Sequence, residues 1–170
     1  MKKILLGLAF VCIAFITNAQ RYAFVDTEYI LNNIPSYKAA QDKLNKMSED
    51  WQKEIEGEYA ELDKMHKDFQ SEKVLLTNEM IKQRESEIAA KDRSIKELQK
   101  KFFGPNGELF QKRQELIKPI QDEVYNVIKD IAESGNYAII FDTATGSNIL
   151  FTDPKYDKSD EVLEKLGYKN

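Results

Sequence analysis

Ile55, Leu62, Phe69 and Leu76 recur every seven residues along a stretch that is otherwise charged or polar, and Leu44 with Trp51 makes a similar pair. Met47, Tyr59 and Met65 fill intervening positions three or four residues away. An apolar stripe of this spacing runs along one face of a helix that pairs with another. Residues 36–103 contain no proline and one glycine, Gly57, and are dense in Glu, Lys, Gln and Asp, so helix propensity is high throughout. The same density of charge leaves too few apolar side chains for a helix buried on every side.

A second series, Ile81, Ile88, Ile95, Phe102, Leu109 and Leu116, keeps the seven-residue repeat, but the step from Leu76 to Ile81 is five. The two series are therefore out of phase. Thr77-Asn78, both good N-cap residues, sit in the break and predict a chain reversal near 76–79. Gly104-Pro105-Asn106-Gly107 is the alternative reversal and locally the stronger breaker. A turn there would leave an outbound helix of ~100 Å against a return of ~40 Å, whereas a turn near 76–79 gives limbs of ~60 Å and ~85 Å. The repeat also runs in phase through 104–107, which suits a kink. Length and phase together favour the turn near 76–79.

The flanks read differently. Tyr22-Ala23-Phe24-Val25 is a short β-like run, followed by Asp26 and a short helix around Tyr29–Asn33 that stops before Pro35. Gly135-Asn136 is a good C-cap pair for the end of the helical region. Tyr137-Ala138-Ile139-Ile140-Phe141 is a continuous apolar run of strand length, predicted to be buried on both faces. Thr143 to Ser147 reads as a hairpin loop into a further strand, Asn148-Ile149-Leu150-Phe151-Thr152. A helix from Ser159 to Leu166, with Ser159 as N-cap, closes the chain.

The predicted fold class is α+β: a long α-helical hairpin, a coiled-coil-like arm over residues 36–134, inserted into a small β-body made of residues 20–35 and 135–170. Three short strands and one small helix do not bury a sufficient core alone. The apolar strands imply burial against other copies of the chain, so an oligomer is expected.

The N-terminus adds a destination. Lys2 and Lys3 precede thirteen uncharged, mostly apolar residues, Ile4 to Ile16, and then Thr17, Asn18 and Ala19. That is a secretory signal peptide over residues 1–19, cleaved near Ala19. The run is too short for a membrane span, which needs roughly 20 residues. Cys12 does not mark lipid attachment, because Val11 stands where such a signal needs a small residue and the apolar run continues past it.

Removing residues 1–19 takes away Lys2, Lys3 and the only cysteine, leaving 23 basic against 29 acidic residues, a net charge of −6. A mature chain without cysteine has no disulfide, thiol nucleophile or cysteine metal site. His66 is the only histidine, which excludes multi-histidine zinc sites on inventory alone. No basic patch interleaved with aromatics suggests nucleic acid, and no Gly-rich loop leads into Lys-Ser/Thr for a nucleotide.

Three stretches carry a family resemblance: Phe24-Val25-Asp26 with Ile30-Leu31, Ala39-Ala40 and Leu44; Leu116, Pro119-Ile120, Val124, Ile128 and Ala132 leading into Tyr137–Asp142; and Leu150-Phe151-Thr152-Asp153-Pro154 followed by Asp157, Ser159-Asp160-Glu161-Val162 and Leu166. In these the mature chain resembles the Skp/OmpH family of periplasmic chaperones, the C-terminal third being the discriminating part. The resemblance implies a homotrimer whose strands join in a shared body while three arms enclose a cavity. It implies a periplasmic, ATP-independent holdase for unfolded outer-membrane β-barrel proteins, with transient membrane contact among its encounters and no cofactor. The best-known members are strongly basic. This mature chain is −6, and residues 42–69 hold nine acidic against five basic side chains, which moves client capture from charge onto apolar and aromatic residues.

The expected oligomer interface is Tyr22, Phe24, Val25, Ile139, Ile140, Phe141, Ile149 and Phe151. The candidate client-binding residues are Met47, Trp51, Tyr59, Met65, Phe69, Phe102 and Phe103, since Met and aromatic side chains repack around varied partners. The plainer role for the stripe members is to pack the two limbs together. Asp26, Asp142, Asp153 and Asp157 cluster near strand ends and raise the class of a carboxylate enzyme or cation site, but such aspartates commonly cap turns and 142–146 lacks EF-hand spacing. No enzymatic activity and no metal are expected. A reading of a different class is a structural coiled-coil spacer or adaptor of the cell envelope, which would not keep denatured protein in solution.

Overall fold

The computed structural model describes residues 21–144, 146 and 149–168. The signal peptide expected over 1–19 lies outside these residues, as do Thr145, Ser147 and Asn148 of the expected hairpin loop. In chain order the elements are β1 (Arg21–Val25), α1 (Thr27–Asn32), α2 (Pro35–Glu72), a 3-10 turn (Lys73–Leu75), α3 (Asn78–Phe103), α4 (Glu108–Leu116), α5 (Lys118–Ser134), β2 (Tyr137–Asp142), a second 3-10 turn (Pro154–Tyr156) and α6 (Ser159–Lys165). They form two compact units: Ile34–Glu123, and the residues on either side of it, up to Asn33 and from Val124.

The inserted unit is a long helical hairpin. Pro35 opens α2 in its first turn, where its missing N–H costs nothing. α2 runs 38 residues, about 57 Å at 1.5 Å per residue. It ends at Glu72. The chain tightens through Lys73–Leu75, is extended at Leu76, and restarts at Asn78 with Thr77 as N-cap, its hydroxyl accepting the Met80 N–H at 3.3 Å. The return path breaks at 104–107 without reversing, because α4 as well as α3 packs on α2. Gly104 is required there: a Cβ would lie 2.3 Å from the Lys100 carbonyl oxygen. A smaller break at Ile117 precedes Pro119, which has no N–H to donate into the preceding turn.

The stripe makes the seam. Ile55, Leu62 and Phe69 of α2 are buried with Ile88, Ile95 and Phe102 of α3, flanked by Trp51, Met65, Leu76, Ile81 and Leu98. A second cluster joins Ala40 and Leu44 to Ile117, with Tyr37, Leu109, Leu116 and Ile120 against it.

In the other unit β1 and β2 pair in parallel, Tyr22 opposite Ile139, Ala23 opposite Ile140 and Phe24 opposite Phe141. A parallel pair needs a crossover, and the whole helical insertion is that crossover. Ala23 and Val25 face a core that includes Ile30, Val124, Ile131, Val162 and Leu163, while Tyr22 stays exposed. α5 ends through Asn136, which takes the left-handed backbone (φ 52°). Gly135 beside it has no room for a side chain, since a Cβ would meet the Tyr137 ring at 2.3 Å.

Two expectations are corrected here. No strand forms over the described residues 149–153, so the expected hairpin partner of β2 is not found there, and among the described residues the sheet has two strands. The chain leaves β2 across the end of β1 instead: Thr143 N–H donates to the Val25 carbonyl at 2.8 Å, and the Ala144 N–H turns back to Asp142 Oδ1 at 3.0 Å. The segment then returns on the free edge of β1, where Asp157 bridges Phe24 and the Lys158 N–H donates to the Phe24 carbonyl at 2.8 Å. Nor is Ser159 the N-cap of α6. It is the first helical residue, and Asp157 Oδ1 accepts its N–H at 2.8 Å.

Candidate functional site

The seam consumes part of the aromatic and methionine set. Phe69 and Phe102 are buried, 7% and 4% exposed, and Trp51 stacks on Phe102 with ring centroids 4.9 Å apart and planes within 7°. Met65 packs at the edge of the same cluster and Met47 is half-buried. Tyr59 and Phe103 remain at the surface, 41% and 37% exposed. Phe103 meets both Trp51 and Phe102 edge-on, at 6.3 and 6.4 Å, so the break at 104–107 carries a three-ring cluster with one ring reaching solvent.

One ion-pair fork ties the limbs. The Lys91 ammonium of α3 reaches Glu58 at 2.7 Å and Glu61 as well, both on α2. The hydrogen bonds to Glu58 and Glu61 hold Lys91 above the ordinary lysine range. The hydrogen bond from Lys91, and then its charge, hold Glu61 below the ordinary carboxylate range. The acidic limb is not neutralised as a whole: Asp42, Glu49, Asp50 and Glu54 have no ion-pair partner among the described residues.

The strand-end aspartates serve the chain's own turns. Asp26 Oδ1 accepts the Tyr29 N–H at 2.8 Å and caps α1. Asp142 accepts from the Thr27 N–H at 3.2 Å and the Thr27 hydroxyl at 2.7 Å. Asp153 accepts the Lys155 N–H at 3.2 Å, and the Lys155 side chain holds its carboxyl below the usual range. Asp157 accepts from both N–H and Oγ of Ser159, whose Oγ in turn accepts the Asp26 N–H at 2.8 Å. Among the described residues no group of three or more His, Cys, Asp or Glu is placed to hold a metal. His66 lies exposed on α2.

The residues expected at an oligomer interface divide in two. Val25, 2% exposed, already belongs to the core. Tyr22, Ile139, Phe141 and Phe151 are 50, 53, 41 and 81% exposed, with Phe24, Ile140 and Ile149 half-buried. Cross-strand pairing places Tyr22, Phe24, Ile139 and Phe141 on one face, where Phe24 stacks on Phe141 at 5.8 Å and Tyr22 meets Tyr156 at 5.4 Å. An aromatic sheet face left bare beside a strand edge with no partner among the described residues is costly for a chain alone in water.

Sequence reasoning gave no site role to Phe110, Tyr125, Val74, Leu75 or Leu150, which are 46, 66, 87, 83 and 100% exposed. A signal existed for two of them. The stripe turns Phe102 and Leu109 inward and the other unit buries Val124, and the following residue on each helix, Phe103, Phe110 or Tyr125, is turned out. Val74 and Leu75 lie between Phe69 and Leu76 and belong to neither seven-residue series. The 3-10 turn takes them out of helical register.

A family model described as outer membrane protein (OmpH-like) matches residues 21–166. A protein of Aquifex aeolicus (strain VF5), itself uncharacterized, is 27% identical over 158 residues, 91% of this chain and 90% of its own length. A crystal structure of a candidate outer membrane chaperone (OmpH-like) from Caulobacter crescentus CB15 superposes with a TM-score of 0.67 at 16% identity, over 86% of this chain and 83% of that one. The likeness to that structure is one of fold.

Proposed function

The chain belongs to the OmpH-like outer membrane protein family, and from that premise we propose that it is an ATP-independent periplasmic chaperone that holds unfolded outer-membrane β-barrel proteins and prevents their aggregation. The mature form begins near Gln20 after export. The observation that carries the reading is the set of aromatic side chains left at the hairpin surface once the seam has closed, Tyr59, Phe103 and Phe110. Single exposed rings, well away from any catalytic grouping, suit weak contacts with an extended chain of alternating apolar residues.

Self-association multiplies those contacts. The bare face of Tyr22, Phe24, Ile139 and Phe141, with Ile149 and Phe151, is the proposed contact between copies in a homotrimer, and three hairpins then offer each weak site three times. Once one contact has formed, the others act at high effective concentration, so holding is tight in sum yet each contact is readily released. Release needs no nucleotide, only a folding route at the outer membrane that binds the client better.

The test is dilution of a urea-denatured β-barrel outer-membrane protein into buffer, with light scattering as the readout. The protein at several-fold excess keeps the client soluble without ATP. A structural spacer or adaptor leaves aggregation unchanged, and that result would overturn the reading.

A further inference from the structure

We propose that a cleft where α4 gives way to α5 captures the free C-terminal end of an unfolded client chain, with Arg113 holding the terminal carboxylate. This deepens the chaperone reading, rests on it for the identity of the ligand, and uses none of the exposed rings. The break at Ile117 opens the cleft. Ahead of Pro119 the return path shifts from α4 to α5, leaving a space of about 450 Å³ against the start of α2, within the size range of sites that hold one small ligand. It lies wholly inside the Ile34–Glu123 unit. Ile117, 4% exposed, and Tyr37 give it an apolar wall. Around that wall stand Gln41, Gln114 and Gln121, one from each of α2, α4 and α5. None of these three carboxamides has a hydrogen-bond partner among the described residues, whereas Gln52, Gln83 and Gln111 donate to neighbours on the chain itself.

Charge selects the group that enters. Lys118 and Asp122 also line the cleft but neutralise each other, the ammonium reaching the two carboxylate oxygens at 2.8 and 2.9 Å. Arg113 has no ion-pair partner among the described residues, so one guanidinium is left uncommitted there. Its planar fork fits a carboxylate through two parallel N–H···O bonds. A carboxamide offers two donors and an acceptor, which matches the alternating N–H and C=O groups of a peptide backbone. The two requirements meet at a chain end, where the carboxylate continues the backbone path. An internal Asp or Glu carries its carboxylate on a side branch instead. The apolar wall takes the last side chain. A client has one such end, so this site decides which end is held, while the many ring contacts decide whether the chain stays in solution.

The experiment is fluorescence anisotropy of the mature chain from Gln20 with a decapeptide of alternating apolar and polar residues that ends in phenylalanine and is labelled at its N-terminus. The free acid is expected to bind about tenfold or more tightly than the same peptide amidated at its C-terminus, and salt should weaken that preference. Arg113→Gln is expected to abolish the preference by losing affinity for the acid alone, and Arg113→Lys to keep part of it. Circular dichroism melts of both variants should match wild type, since the Arg113 side chain is exposed. Equal binding of acid and amide by wild type, no binding of either, or a preference that survives in Arg113→Gln overturns the proposal. An amidated peptide with one internal glutamate that binds as tightly as the free acid would make the ligand a side-chain carboxylate and overturns it too. Failure of wild type to keep a denatured β-barrel protein soluble, with the Arg113-dependent preference intact, would refute the chaperone reading and leave a site for peptide C-termini standing.

Discussion

The indole of Trp51 lies flat on the ring of Phe102, 4.9 Å between centroids, joining α2 to the last turn of α3 just before the chain breaks at Gly104. Trp51 is the only tryptophan, so its fluorescence reports on this seam alone. Phe102→Ala removes the partner ring from a site 4% exposed and should cost about 3–5 kcal/mol. Denaturant unfolding followed by Trp51 emission, at one fixed protein concentration, measures it. A loss under about 1 kcal/mol would mean that the stack does not hold the limbs.

The Lys91 fork gives the hairpin a pH dependence of known sign. Glu61 is lowered from 4.5 in the folded protein, so its contribution is present above that value and disappears as pH falls through the lowered one. Lys91 is raised from 10.5, so its contribution is present below that value and disappears as pH rises through the raised one. Lys91→Gln should therefore lower Tm by a constant amount between roughly pH 6 and 9, with the gap to wild type narrowing on both sides. Salt should narrow it as well. A gap independent of pH would locate the effect in packing of the Lys91 stem.

Ser159 is the one buried polar residue among the described residues of the smaller unit, 3% exposed, and it satisfies the backbone N–H of Asp26. Ser159→Ala strands that donor and should destabilise by about 1–3 kcal/mol. Asp142→Asn and Asp153→Asn should leave client holding unchanged at temperatures where the variants stay folded, since both carboxylates serve turns. Chemical denaturation and the aggregation assay, run on the same preparations, check the two statements.

The hairpin was legible because the physics is local. A seven-residue repeat with its phase broken at Leu76–Ile81 and a capping threonine in the gap corresponds to a seam, a tip and the Thr77 cap. The closing strand was not legible, because the choice was made by a long-range competitor. Asn148–Thr152 has strand composition, yet the turn after Asp142 is pulled onto the Val25 carbonyl, which leads the chain across the end of β1 and away from the free edge of β2. The site was half legible. The repeat told which aromatics enter the seam, Phe69 and Phe102 among them, but Val74 and Leu75 owe their exposure to a 3-10 turn whose geometry no periodicity encodes.

Self-association is expected to rest on the bare sheet face. Ile139→Asp with Phe141→Asp places two charges among Tyr22, Phe24 and their copies, and like charges brought together without partners are strongly unfavourable. Sedimentation equilibrium should find wild type as a trimer at micromolar concentration and the double variant about threefold lighter, with α2 and α3 still helical by circular dichroism. A wild-type monomer at that concentration would remove the shared body from the proposal.

Client holding is expected to depend on rings that do nothing for the seam. Tyr59→Ser, Phe103→Ser and Phe110→Ser each remove one exposed aromatic from the hairpin. Taken singly they should change the chaperone concentration needed for half-suppression of aggregation by less than about threefold. Together they should raise it by about tenfold or more, because weak sites in one assembly multiply. Tm and assembled mass should stay near wild type. Phe69→Ala is the contrasting case: a 7% exposed residue whose loss acts through stability, so that its holding defect appears only as the hairpin melts. Since residues 42–69 are net acidic, capture by these rings should not weaken as salt rises, whereas capture by charge would. A triple variant that holds clients as well as wild type, or a steep loss of holding with salt, would place the client contact elsewhere on the chain.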